Sequence, residues 1–446
     1  MTLAEQLVGI AQRPKSEADL ARAALHLLDW LGCIAAAQGS PAGQSALRFA
    51  GWSQLAEGVA PDARAEETAF VTGALGNVLE MDDLHRASLL HVGDVVCAAT
   101  LAAALTRGVS GPALLSALVS GYEVAIRIGS AAAAQGYAPW YNSATCGVFG
   151  AAMASAEIAG LAHPADALAQ AGMSASGIWQ CRLDPGTGKQ LATAQAARSG
   201  LVAAQLVEAG FTGPNRILEG ELGFFAIYYP NADPHVVTAQ PDADFAIHEV
   251  SFKPYPACRH THAAIAAALD LAGPPPARVE VATYGAALTF CDNPAPETAH
   301  EARFSLQHCL AVALTRGAPG LADFEAAARA DPVLADLRAR ITLCEDAGMT
   351  AAFPGQMGAR LTLWSPDGAA RSRNRATAPG DPEDPLSTAA INAKAHRNLC
   401  HGGASPEAAT GLIEACHALP EARDLTPLRR ALTRALTHGA ADAPLC

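Results

Sequence analysis

The run Ser251-Phe252-Lys253-Pro254-Tyr255-Pro256-Ala257-Cys258-Arg259-His260-Thr261-His262 brings an amine, two further acid/base ring types, a thiol and a guanidinium into one short stretch. Two prolines fix φ beside Lys253 and Tyr255 and stiffen the run, which aims its side chains. The chain holds 4 lysines against 26 arginines, so arginine is the default cation and each lysine needs a reason. An ammonium can give up its proton when desolvated or crowded by other cations, whereas a guanidinium stays charged. Lys253 is therefore read as a proton-handling wall of an active site.

Four other segments set polar groups among apolar neighbours. In Leu79–Asp94, three carboxylates (Glu80, Asp82, Asp83), His85, His91 and Ser88 follow a helix rich in small residues. They line a pocket or form a solvated loop. Asp94 alone reads as a cap for the next helix. Carboxylates and imidazoles are also metal ligands, but no metal-binding spacing such as His-x-x-x-His occurs, so no metal is expected. Trp140-Tyr141-Asn142-Ser143 precedes a long small-residue helix, which Ser143 or Asn142 could cap, leaving backbone N–H groups for an anion. Tyr141 is there an acid or an aromatic lid. Gly186-Thr187-Gly188-Lys189 lacks the full phosphate-loop pattern and no strand precedes it, which excludes a nucleotide role. Lys189 opposes the helix dipole at a helix start, a placement that anion binding would explain. His308 lies on a mostly apolar helix, either as a catalytic group or as a hydrogen-bonded core residue.

Composition narrows the partners. A net charge of −13 argues against nucleic acid. The 11 cysteines are odd in number, scattered and without a Cys-x-x-Cys pair, so buried reduced thiols in a cytoplasmic protein are expected. Met1–Gln12 lacks the basic start and apolar core of a signal peptide, and the apolar stretches near Ala98–Ala104 and Ala151–Ala159 are too short or broken to span a bilayer. No dinucleotide fingerprint or Gly-x-Ser-x-Gly elbow occurs. The remaining Lys, His, Tyr and carboxylate groups suit cofactor-free removal of a proton next to a carboxylate.

These groups need a scaffold. Alanine-rich, aromatic-poor sequence favours tightly packed helices. Helical spacing marks Ala18–Ala37, Thr68–Met81, Asp94–Leu105, Pro112–Ile128, Ser143–Ala159, Pro164–Ser176 and Leu191–Ala209. Near residue 245 the texture changes. Arg278–Tyr284 and Ala359–Trp364 alternate as strands, Ile341–Cys344 is a weaker third, and helices occupy about Ala263–Leu271 and Ser305–Thr315. Ala376–Pro385 reads as a linker, before helices Ser387–Leu399 and Ser405–Leu419. The expectation is a mainly α fold: an all-helical domain from residues 1–250 and 381–446, and a smaller α+β lid domain over 251–380.

Taken together, Leu79–Asp94, Thr145–Ala152, Lys189 with Ala196–Gly200, Gly210–Pro214 with Ile217–Gly220, Lys253–Pro256 with Cys258, Arg259 and His262, and Phe304–Gln307 resemble the MmgE/PrpD family across essentially the whole chain. That family includes 2-methylcitrate dehydratase, cis-aconitate decarboxylase and iminodisuccinate epimerase. The resemblance implies a homodimer, an active site between the domains and no required cofactor. It carries the decarboxylase's first acidic residue onto Glu80, a histidine onto His91, and two lysines onto Lys189 and Lys253. Three positions depart: Tyr141 and Cys258 replace histidines, and His308 replaces a tyrosine.

The expected catalytic set is Tyr141, Lys253, His91 and His308. Glu80, Asp82, His85, Lys189, Cys258 and Arg259 are expected to bind a small di- or tricarboxylate. A phenol at 141 opposite a histidine or lysine suits proton exchange on two faces, so an epimerase of an iminodisuccinate-like amino-dicarboxylate is preferred. A dehydratase, a decarboxylase and a non-catalytic helical binding protein are the alternatives.

Overall fold

A computed structural model describes residues 1–437 except Gln135, Pro185 and Ala272. By its internal contacts the chain divides into two units. The first comprises Met1–Val78, Asp82–Val250 and Ser387–Cys446; the second comprises Leu79–Met81 and Ser251–Leu386. The fold is mainly α with a smaller α+β unit.

The first unit is a stack of helices whose middle members are buried nearly all round. Gly93–Arg107 buries Asp94 and every residue from Val95 to Leu105, as expected of a helix apolar on most faces. Small residues let the backbones approach. A Cβ on Gly121 in the Gly111–Ala132 helix would lie 2.8 Å from the Gly150 carbonyl, and one on Gly150 would lie 2.4 Å from the Gly121 carbonyl. The two helices therefore touch main chain to main chain, which explains the scarcity of aromatics. Glu17–Ala37 and Gly111–Ala132 are long and apolar enough to cross a membrane, yet 78% of each apolar window is buried inside the protein.

Several helices start where side-chain caps supply the missing acceptors. Ser16 and Asp19 form a capping box at Glu17–Ala37, and Thr2 with Glu5 does the same at Leu3–Ala11. Two expected helices end differently. The helix expected to run to Met81 stops at Leu75. The one expected over Ser143–Ala159 breaks at Cys146 into a single turn, Asn142–Thr145, and a longer helix, Gly147–Ala159.

The second unit carries a four-stranded sheet in the order β2-β1-β3-β4. Its strands are β1 Arg278–Thr283, β2 Ile341–Glu345, β3 Ala359–Trp364 and β4 Ala370–Arg375. β1 pairs parallel with β2 and antiparallel with β3, and β3 pairs antiparallel with β4. The register places Val281 opposite both Leu343 and Leu361. Val279, Val281, Leu361 and Leu363 point into a core shared with Ile265 and Ala268 of the His262–Asp270 helix and Leu310 of the Leu306–Arg316 helix. β4 is absent from the sequence reading because it is an edge strand, almost wholly exposed, with no apolar alternation to mark it.

Candidate functional site

In the first unit the site is built on the loop between Leu75 and the Gly93–Arg107 helix. His85 and Leu90 exchange backbone hydrogen bonds of 2.9 and 3.2 Å, closing a tight turn in which Leu89 takes φ +55. Asp82 and Asp83 differ in their partners. Asp83 accepts from the Gly93 N–H at 2.9 Å and the Tyr122 hydroxyl at 2.7 Å, and meets His26 Nδ1 at 2.8 Å. Burial alone would push its pKa up, but these hydrogen bonds, His26 first, outweigh it and hold the carboxyl below its ordinary value. Asp83 is thus a buried anchor for the loop.

Asp82, fully buried, is hydrogen-bonded to Nδ1 of His91. The His91 side chain is 12% exposed, and its backbone N–H donates to Ser143 Oγ at 2.9 Å. The Tyr141 ring lies 6.5 Å from the His91 ring and 5.5 Å from Trp179. Asn142 braces the same corner: its amide donates to the Ser88 carbonyl at 3.2 Å and its oxygen accepts from the Tyr229 hydroxyl at 2.9 Å. The structure thus brings Asp82, His91, Ser143 and Tyr141 together, giving an imidazole oriented by a carboxylate with a phenol nearby. That is the arrangement of a general base with its orienting group.

Some expected roles change. Neither Asn142 nor Ser143 caps a helix; Tyr141 is the N-cap residue and makes no side-chain cap, and the Ser143 hydroxyl serves His91 instead. The single turn that follows is too short for the expected anion site. Asp94 lies inside the first turn of its helix, not at the cap. Burial pushes its pKa well up, Asp82 adds to this and Lys189 opposes it. His85, expected to touch substrate, has both ring nitrogens committed: Nδ1 to Ser88 Oγ at 2.8 Å and Nε2 to Glu249 at 3.3 Å. Lys189 stands second in the Gly188–Glu208 helix and is half-buried.

The second unit holds the other expected residues. Lys253 Nζ lies 3.4 Å from Glu80 Oε2, and both are buried. Glu80 sits at φ +54, the left-handed region that a non-glycine residue occupies at a penalty of about 1–3 kcal/mol. Such strain persists where neighbours over-determine the backbone, and here it accompanies a charged contact to Lys253. Cys258 is buried in the core that also holds Cys291 and Cys309, and its N–H donates to the Arg303 carbonyl at 2.9 Å. Arg259 is buried against Asp381.

His308 does not fit the acid/base role expected of it. Its Nε2 donates to the Asp323 carbonyl at 2.7 Å, and Nδ1 accepts from Arg338 at 3.2 Å. Burial first, and then the Arg338 charge, push its pKa down. With both nitrogens used and Phe324 beside the ring, His308 is a hydrogen-bonded core residue.

The sequence reading overlooked a buried network behind the Asp82 loop. His26 and Asp29 lie on the otherwise apolar Glu17–Ala37 helix, and that contrast was the available signal. Burial and the nearby Arg22 charge push the His26 pKa down to about 4, against the hydrogen bond to Asp83. A histidine depressed on folding favours the native state above its unfolded value of 6.5. That contribution is lost as pH falls from 6.5 through about 4, because the unfolded chain takes up a proton that the folded chain refuses. His26→Gln should therefore lose about 3 kcal/mol less stability than the parent between pH 7 and pH 4. Asp29, pushed up to about 6 by burial, runs in the opposite direction but is present in both proteins and cancels. Urea unfolding of the two proteins at both pH values is the measurement.

Comparison with known proteins adds two findings. The model of the MmgE/PrpD N-terminal domain matches residues 2–237, and that of the MmgE/PrpD C-terminal domain matches residues 255–419. The chain is also similar to the cis-aconitate decarboxylase-like protein oryM of Aspergillus oryzae, at 29% identity over 189 residues. That match spans 40% of this chain and 39% of the relative's length.

Proposed function

The chain belongs to the MmgE/PrpD family, whose enzymes are lyases or isomerases, and from that premise we propose that it removes and returns a proton next to a carboxylate of a small di- or tricarboxylate. The preferred substrate is an iminodisuccinate-like amino-dicarboxylate and the preferred outcome is epimerisation without a cofactor. The observation that carries this reading is the Asp82–His91 hydrogen bond with the Tyr141 ring 6.5 Å away.

In this reading His91, oriented by Asp82, takes the α-hydrogen as a proton. The C–H electron pair moves into the adjacent carboxylate as an enolate, which the Lys189 cation of the same unit stabilises. Tyr141 then delivers a proton to the same carbon from the other face. A carbon held between two such groups needs each within hydrogen-bond reach, roughly 3 Å. The reverse reaction exchanges the two roles.

The relative's name favours a second reading, decarboxylation of an unsaturated tricarboxylate. There the electron pair would come from a C–C bond as carbon dioxide leaves, and one of the same groups would protonate the carbon. Proton NMR of the purified protein with single enantiomers of di- and tricarboxylates in deuterated water separates the two. Loss of the α-hydrogen signal with racemisation and no other product is the expected result. Release of carbon dioxide, or accumulation of an unsaturated acid, would replace epimerisation with decarboxylation or dehydration.

A further inference from the structure

The segment 376–385, rich in proline, glycine and aspartate, reads in sequence as a linker, yet its centre is buried. Asp381 is 1% exposed. It accepts from the Ser251 hydroxyl at 2.7 Å and from the Ala378 N–H at 2.9 Å, and it forms an ion pair with Arg259. One residue earlier, the Gly380 carbonyl accepts from the Phe252 N–H at 3.0 Å. Gly380 has φ +95, and a Cβ there would sit 2.0 Å from the Phe252 carbonyl oxygen, so only glycine permits this close approach. The loop is thus docked on the start of the Lys253 run. Asp381 ties together the two ends of that run, Ser251 and Arg259.

Arg259 is left with donors to spare. Its Nη2 contacts Asp381, while Nε and Nη1 are buried without a hydrogen-bond acceptor among the described residues. A buried donor in that state loses its bond to water without replacing it, which favours binding of an acceptor. The surrounding charges point the same way. Lys253, Arg259 and Arg303 are buried cations of the second unit, against the buried carboxylates Glu80 and Asp381. Arg303 reaches Glu325 at 3.5 Å, but that carboxylate is 63% exposed and its charge is screened by solvent. At ordinary ionisation the buried set carries an excess positive charge, which an anionic ligand would neutralise. Carboxylate oxygens match guanidinium donors in geometry and charge.

We propose that Asp381 is a positioning residue that fixes Arg259 by one nitrogen so that its remaining donors hold a carboxylate of the substrate. The identity of that ligand as a carboxylate rests on the proposed function; the positioning itself does not. Binding without turnover keeps the two apart. Calorimetry with succinate and succinamate, in which an amide replaces one carboxylate, should show succinate bound at least tenfold more tightly by the parent protein, the scale of a charged hydrogen bond. Asp381→Asn should lose most of that preference and show faster amide hydrogen exchange over residues 251–259. Ser251→Ala, which loosens the loop but keeps the ion pair, should retain the preference. If Asp381→Asn shows no cooperative thermal transition, Asp381→Glu is measured instead, with a weakened preference expected. The proposal is overturned if the parent protein does not distinguish the two ligands. It is overturned equally if the variant that folds keeps the full preference, or if Ser251→Ala loses it to the same degree. None of these readings depends on whether the enzyme epimerises, dehydrates or decarboxylates.

Discussion

Under the proposed function, replacing His91 with glutamine should lower the rate of α-hydrogen exchange by about 10²–10⁴-fold, the range contributed by a positioned acid/base side chain. Glutamine preserves most of the volume and can still meet Asp82, so the unit should keep its stability. Asp82→Asn should cost less, because the imidazole remains. The Asp82 carboxylate meets His91 Nδ1 and orients the ring, so the loss should fall on kcat. Tyr141→Phe separates the two faces: one enantiomer should still lose its α-hydrogen to solvent while racemisation fails. Exchange and optical rotation, followed together across pH 5–9, test all three. Full activity in His91→Gln would remove the dyad from the mechanism.

The largest stability effect is expected far along the chain from that dyad. Lys394, on the Thr388–His401 helix, contacts Asp29 of the Glu17–Ala37 helix at 2.7 and 3.0 Å, and both side chains are buried. Burial pushes the Asp29 pKa up to about 6, with the Lys394 charge opposing it. Lys394→Met should lower the unfolding free energy by about 3–5 kcal/mol at pH 8, because it strands a buried carboxylate. The sign of the pH dependence follows. A carboxyl raised on folding contributes stability below its unfolded value of 3.8 and loses it as pH rises through the folded value. Removing the lysine raises the folded value further, so the variant should be least damaged in acid. Asp29→Leu combined with Lys394→Met should recover most of the loss, since an apolar pair replaces an ion pair at little net expense. Urea unfolding at pH 8 and pH 5 reads both effects. A single variant as stable as the parent at pH 8 would mean that this pair contributes nothing to the packing of the two helices.

What could be read from sequence alone follows from the range of each interaction. Helices such as Glu17–Ala37 and strands such as Ala359–Trp364 announce themselves because their apolar spacing is local. β4 does not, since Arg371, Arg373 and Arg375 look like any exposed loop until β3 supplies the pairing. The break at Cys146 was hidden because Thr145, Cys146 and Gly147 continue the small-residue texture of the helix behind them. Lys253 was legible by its rarity, and the resemblance led to Glu80 and His91. Asp381 was not, because its partners Ser251 and Arg259 are remote in sequence and its neighbours have linker composition. His308 shows the converse: its chemistry suggested a role, and only Asp323 and Arg338 reveal that its nitrogens are already used.

The assignment of Leu79–Met81 to the second unit has a consequence for anyone dividing this gene. A fragment encoding residues 251–386 would look complete by composition, yet it would omit Glu80 and leave the Lys253 ammonium buried without that carboxylate. Modular exchange between family members at those boundaries would therefore pair a lysine from one parent with an acid from the other. Chimeras that also transplant the tripeptide should be the ones that fold.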